Sequence, residues 1–265
     1  MTESGPTHIR SRDNAWLKEL RRLTQDSSAY RKQARVWLEG DHLCRAALQR
    51  GVQPRVAVFA ESFWPVAPVQ WSQCAAKVVV LEDRLFADIS SLESPAQVGF
   101  VLDLADLSQE VACIQSQVST VVLDRVQDAG NVGSILRSAS AFGFKQVLAL
   151  KGTAALWSAK VLRAGMGAHF GLQLFEALDA CELDRLGVPL ITTSSHQGGF
   201  LHQQSLPTPC AWALGHEGQG VGEAVAQRAS LQVRIAQPGG EESLNVAAAA
   251  AICLHASCVV VARPD

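Results

Sequence analysis

Ile235-Ala-Gln-Pro-Gly-Gly-Glu-Glu-Ser-Leu-Asn-Val-Ala-Ala-Ala-Ala-Ala-Ile-Cys-Leu-His255 is the stretch from which the fold class is read. It ends an apolar strand begun at Leu231, turns through Pro238-Gly239-Gly240 and enters a helix that is almost pure alanine over its first turns. A strand handing over to a helix through a glycine turn is half of an α/β unit. The helix start leaves backbone N–H groups unpaired toward whatever stands in front of it, and the small side chains let a ligand or another backbone come close. Glu242, Ser243 and Asn245 stand at the mouth of this apolar helix. Glu242 and Ser243 are candidate caps, and Asn245 needs partners of its own.

The same alternation runs upstream. Thr120-Val-Val-Leu-Asp124 is a buried-strand run, and a polar loop over 125–131 leads into a helix over 132–142 that Gly143 stops before a strand at 146–150. Helices over 158–164, 177–186 and 221–228 and strands over 189–193 and 211–214 complete the series, which predicts one sheet within residues 120–265. A polar linker, 107–119, separates it from a smaller α/β domain over 19–106, with strands at 36–38, 55–60, 77–81 and 98–104 and a helix at 43–48. Residues 1–18 form an N-terminal extension, polar and frayed over its first dozen residues. A basic amphipathic helix over 14–24 carries Trp16, Leu17, Leu20 and Leu23 at helical spacing, with Lys18, Arg21 and Arg22 between them.

With 48% hydrophobic and 18% charged residues in 265, the chain has the composition of a globular protein and not of a disordered one. No apolar run approaches a bilayer's thickness, and the start lacks a basic segment followed by an apolar one, so the expectation is a cytoplasmic protein with no membrane contact. The seven cysteines are dispersed and never form C-x2-C, which points to reduced thiols and no metal site. A net charge of −2 hides an asymmetry. Residues 1–55 hold 11 Lys and Arg against 6 Asp and Glu, a balance of +5, and the remainder holds 12 against 19, or −7. The basic part suits either a face lying on phosphates or a solvated surface. Lys18, Arg21, Arg22, Arg31, Lys32 and Arg35 are its candidate phosphate contacts.

Three loops combine glycine with polar side chains after an apolar strand: 124–137, 214–221 and 235–245. Ligands of open α/β sheets sit off the carboxyl ends of strands, so three such loops define a pocket. None has the order G-x-G-x-x-G, and no phosphate-binding G-K-[ST] occurs. His216 and Glu217 are adjacent in a tight turn, where turn hydrogen bonds are the commoner role than acid–base pairing. Arg137 lies in a helix of small and apolar residues, either on its solvent face or with its fork aimed at a phosphate.

Asn131-Val-Gly-Ser-Ile-Leu-Arg-Ser-Ala-Ser-Ala-Phe-Gly143, Leu214-Gly-His-Glu-Gly-Gln-Gly220 and Glu242-Ser-Leu-Asn-Val246 resemble, in order and spacing, the three motifs of the SpoU (TrmH-like) family of RNA ribose 2′-O-methyltransferases, within the SPOUT class. Ile9-Arg-Ser-Arg-Asp-Asn14 and Val36-Trp-Leu-Glu-Gly-Asp-His-Leu43 resemble the start of the substrate-binding domain, similar to ribosomal protein L30, found in rRNA-modifying members. The resemblance implies S-adenosylmethionine-dependent methyl transfer to a ribose 2′-hydroxyl of structured RNA, ribosomal RNA ahead of transfer RNA. It further implies a trefoil-knotted α/β catalytic domain that pairs as a homodimer. A catalytically inactive RNA-binding relative is the alternative.

Carried over, the donor contacts are Thr193, Ser194, Gly215, His216, Gly218, Ile235, Ala236, Pro238, Ser243 and Leu244. Arg137 is the implied catalytic residue and an RNA contact, helped by Asn131, while Glu217, Ser243 and Asn245 order the site or the dimer contact around it. The chain departs from the family at Ala129, where proline is usual, at His216, where asparagine is usual, and at Ala236-Gln237, where Pro-Met is usual. The chemistry agrees with the assignment. A ribose hydroxyl is a poor nucleophile near neutral pH, so catalysis needs a group that steadies its developing oxyanion while the donor carbon is held in line. An arginine, which stays protonated, supplies charge and position.

Overall fold

The computed structural model describes residues 5–107, 113–194, 197–239 and 243–261. The chain divides into two units, Met1–Ser108 with Trp157–Phe170, and Gln109–Leu156 with Gly171–Asp265. In chain order the α-helices are α1 (Ala15–Gln25), α2 (Ala29–Gln33), α3 (Asp41–Gln49), α4 (Val69–Gln73) and α5 (Asp83–Ile89). They continue as α6 (Leu104–Leu107), α7 (Ala129–Ala141), α8 (Ala159–Gly165), α9 (Glu223–Ala226) and α10 (Val246–Val261).

The first unit is built on a five-stranded sheet of β1 (Thr7–Ile9), β2 (Arg35–Glu39), β3 (Val56–Ala60), β4 (Lys77–Leu81) and β5 (Val98–Asp103), in the order β1-β4-β3-β5-β2. β1, β4 and β3 run parallel, and β5 is antiparallel to both β3 and β2. β1 lies in the stretch read as frayed. It is three residues long with only Ile9 buried, too short for a periodic signal, and it is held by its ladder to β4. The amphipathic helix read at 14–24 is α1, whose first turn is capped by the Asn14 side chain accepting from the Leu17 N–H at 3.2 Å. Leu17, Leu20 and Leu23 form its buried side. α8, drawn from the second half of the sequence, packs on β2 within this unit.

The second unit is an all-parallel seven-stranded sheet of β6 (Thr120–Asp124), β7 (Gln146–Leu150), β8 (Gln173–Leu178), β9 (Leu190–Thr193), β10 (Gly199–Phe200), β11 (Ala211–Gly215) and β12 (Leu231–Arg234). Their order is β10-β12-β9-β11-β6-β7-β8. β6, β7 and β11 are buried at every position, which is why they read as unbroken apolar runs: a parallel sheet is covered on both faces. α10 lies against α7 and β11, where the Trp212 indole N–H donates to Ser257 Oγ at 2.9 Å.

Two expectations need correction. The helix read at 177–186 is instead the end of β8 followed by a 3-10 turn, Ala180–Arg185. Ala177 sits at φ +57°, a left-handed conformation that no α-helix propagates, and the ladder to β7 takes up the backbone groups of β8. The cap of the last helix is Asn245, whose Oδ1 accepts from Ala247 N–H at 2.9 Å and Ala248 N–H at 3.2 Å, and not Ser243. Glu242, the other candidate cap, lies outside the described residues, as do residues 108–112 of the expected linker.

Candidate functional site

The carboxyl ends of β9, β11 and β12 open onto a cavity of about 650 Å³ bounded by residues 192–194, 215–221 and 243–246, with Ile235 and Gln237 on a further wall. That volume lies within the range of small-molecule sites. Of the residues expected to hold a donor, Thr193, Ser194, Gly215, His216, Gly218, Ile235, Ser243 and Leu244 line it. Ala236 and Pro238 do not; both are exposed. Beyond the end of β12 the chain turns Ile235 inward, Ala236 outward and Gln237 inward, so Gln237 occupies the wall that Ala236 was expected to form.

Gly215 is the last residue of β11, and a Cβ there would run into the backbone of Gly220 and Val221. The approach is that close because His216 and Gly220 exchange backbone hydrogen bonds of 3.0 and 2.8 Å, folding the loop back on itself. The imidazole completes the turn, with Nδ1 accepting from Gly218 N–H at 3.0 Å and Gln219 N–H at 3.2 Å. His216 therefore shapes the loop and does not pair with Glu217. Two polar atoms of the cavity lining, Thr192 Oγ1 and Gln237 Oε1, are buried without a hydrogen-bond partner among the described residues. Such atoms carry a desolvation cost that a bound polar molecule relieves.

Beside the cavity the three loops are joined by one chain of hydrogen bonds. The Glu217 carboxylate accepts from Gln127 N–H (3.3 Å), Asp128 N–H (3.1 Å) and Asn131 Nδ2 (3.1 Å). Asn131 Oδ1 in turn accepts from Asn245 Nδ2 at 2.9 Å, and the Asn245 oxygen caps α10. Asp128 caps α7 through Asn131 N–H at 2.7 Å. Partial desolvation pushes the Glu217 pKa up. The hydrogen bonds it accepts from the Asn131 side chain and the nearby backbone N–H groups outweigh that effect and leave it below its ordinary 4.5. Both functional groups of the Asn131 side chain are thus committed, and its orientation is fixed.

A second clamp escaped the sequence reading. Asp124, buried at the end of β6, accepts from Gly222 N–H at 2.5 Å and from Arg125 Nε at 2.9 Å. Arg125, held at φ +60°, donates to Gln219 Oε1 at 3.0 Å and so ties the 215–221 loop to the strand end. The pairing raises the Arg125 pKa through hydrogen bonding to Asp124 and its charge. A charged pair at a strand end resembles any turn in sequence, and only the register Gly215↔Asp124 brings this one to the loop.

Arg137 is exposed on α7 and does not line the cavity of its own chain. Ile135, Leu136 and Ala139 form the buried side of that helix, which turns position 137 outward. The basic residues of the first unit are partly neutralised. Lys18 pairs with Asp13 at 3.0 Å, Arg21 with Asp88 at 3.8 Å and Arg35 with Asp103 at 3.2 Å. Arg31 lies over the Tyr30 ring at 5.2 Å, while Arg22 and Lys32 are exposed. Among the described residues no three His, Cys, Asp or Glu side chains gather as a metal site requires, and no helix is long and apolar enough to cross a membrane.

Comparison with known proteins reaches both units. Residues 119–255 match the model of the SpoU rRNA methylase family, and residues 14–99 match an MRM3-like substrate binding domain. The 23S rRNA (guanosine(2553)-2′-O)-methyltransferase RlmP of Bacillus subtilis is 30% identical over 224 residues, 82% of this chain and 86% of that protein. A putative RNA methyltransferase of the TrmH family from Porphyromonas gingivalis has a TM-score of 0.77 at 30% identity, over 93% of this chain and 98% of that one. An AdoMet-bound rRNA methyltransferase from Sinorhizobium meliloti, 24% identical, has the same fold, with a TM-score of 0.81 over 96% and 98% of the two chains.

Proposed function

Because the chain belongs to the SpoU rRNA methylase family, we propose that it transfers the methyl group of S-adenosylmethionine to a ribose 2′-hydroxyl of ribosomal RNA. The observation that carries this reading is the single chain of hydrogen bonds through Glu217, Asn131 and Asn245, set at the rim of a cavity with two unpartnered polar atoms. When bound, the donor supplies an electrophilic methyl carbon on a sulfonium. Thr192 Oγ1 and Gln237 Oε1 offer adenosine a hydrogen-bonding pair, Gly215 leaves its backbone open to close approach, and Ile235 and Leu244 give apolar walls.

Asn131, fixed at both ends of its amide, places the ribose. Arg137 steadies the charge that builds on the 2′-oxygen and holds a flanking phosphate. Its exposed position, outside its own chain's cavity, fits a site completed by a second copy, and the same unit carries an apolar stripe for docking one. Along α10, Ile252 (41% exposed) and Val259 (39%) stand seven residues apart on one side, with Ala248 and His255 at helical spacing between and before them. In this reading the second unit is trefoil-knotted, the first unit is an L30-like reader of RNA and the protein works in the cytoplasm.

The test is incubation of the full chain with tritiated S-adenosylmethionine and transcripts of 23S rRNA, 16S rRNA and tRNA. Label is expected in 23S rRNA as an alkali-resistant dinucleotide. Label in tRNA alone overturns the substrate assignment, and a folded protein that labels no RNA overturns the activity.

A further inference from the structure

We propose that Phe200, His202 and Arg234 form a nucleobase-binding platform for the RNA substrate at the edge of the second unit's sheet. The inference rests on the reading above that the substrate is RNA, and it adds a contact site which none of the three sequence motifs contains.

β10 is a two-residue strand at the end of the sheet, and its register on β12 sets Phe200 opposite Arg234. The Arg234 guanidinium carbon lies 4.1 Å from the Phe200 ring centroid, and the His202 ring stacks on Phe200 at 5.7 Å with 25° between the planes. Phe200 and Arg234 are half-buried and His202 is exposed, so the stack reaches solvent through the imidazole. The Arg234 side chain makes no hydrogen bond or ion pair among the described residues, and its Nε is buried without an acceptor. A cation held by a ring alone is left with unspent donors, which the acceptor edge of a base or a phosphate oxygen satisfies.

The location matches the chemistry. Alternate residues of a strand share a face, so Arg234 stands on the same side of β12 as Gln232, which lines the cavity. For a ribose hydroxyl to reach a donor held there, its nucleotide must leave the helical stack, and an unstacked base needs a planar partner. Aromatic rings and guanidinium planes take that role with any base. Three planar groups, two of them with polar edges, also differ from the aliphatic anchors of a protein-docking surface.

The experiment compares the full-length protein with its His202→Ala, Phe200→Leu and Arg234→Lys forms, using an unmodified 23S rRNA transcript as probe. Filter binding reads RNA affinity, calorimetry reads S-adenosylmethionine affinity, and thermal unfolding reports folding. Each substitution is expected to weaken transcript binding about 5- to 100-fold, the effect of losing a stacked base, with donor affinity and Tm unchanged. Arg234→Lys keeps the charge and loses the plane, so its loss marks stacking apart from simple phosphate attraction. Irradiation at 254 nm is expected to join a nucleotide to the peptide carrying Phe200 and His202. Unchanged RNA affinity in all three forms overturns the platform, as does a fall in donor affinity that tracks the fall in RNA affinity. Wild-type protein that methylates no RNA refutes the methyltransferase reading alone, and the binding comparison then still decides the platform.

Discussion

Glu217 carries more of the site than its exposed position suggests, because it accepts hydrogen bonds from two backbone N–H groups of the 124–137 loop and from Asn131. Its pKa is depressed in the folded chain, so its contribution to stability is present above the unfolded value near 4.5 and is lost as pH falls through the lower folded value. Glu217→Gln, which keeps the shape and removes the charge, is expected to lower Tm at pH 7. That gap should close only as pH falls through the depressed folded value, where the wild-type carboxylate of the native chain is itself protonated; unfolding curves followed from pH 7 into the acid range check it. Arg137→Ala is expected to leave donor affinity intact and reduce turnover at least 100-fold, the usual cost of removing one oxyanion-stabilising group, measured by single-turnover methyl transfer. Asn131, Glu217 and Asn245 were legible as motif residues. The Asp124–Arg125 clamp and the cavity-lining Thr192 and Gln237 were not, since their roles come from strand register and from which side of the chain faces inward.

At the scale of elements, the turn after β11 and the start of α10 bear the design of the cavity. Gly215→Ala drives a methyl group into the backbone of Gly220 and Val221, with no flexible side chain to yield. Loss of donor binding by calorimetry is expected even where circular dichroism shows a folded chain. Asn245→Ala removes both the cap of α10 and a partner of Asn131, with an expected cost of about 0.5–2 kcal/mol in thermal unfolding; Asn245→Asp keeps the cap but sets an oxygen against Asn131 Oδ1, so it should restore only the capping part of that loss. The units β6–α7–β7 and β11 were readable because each strand is a covered apolar run and α7 opens on a side-chain cap. β8 was misread because Ala177 to Leu186 mixes a strand end with a 3-10 turn, whose repeat of three resembles that of an α-helix over so few residues. β10 and β1, two and three residues long, owe their existence to pairing across the sheet and leave no pattern of their own.

For the whole molecule, the apolar stripe on α10 and the outward Arg137 lead to the same expectation, that activity depends on association. Ile252→Glu puts a charge into the stripe and is expected to shift the protein toward the monomer in sedimentation and to lower methyl transfer in parallel. A dimer that withstands this change with full activity would remove α10 as the docking face. One feature of the architecture bears on how this protein can be rebuilt. Since Trp157–Phe170 belongs to the first unit and α8 packs on β2 there, that unit is not a single continuous piece of sequence. A hybrid enzyme that swaps the front 108 residues for a relative's would inherit a foreign α8 against its new β2, so retargeting by exchange must transplant two segments together.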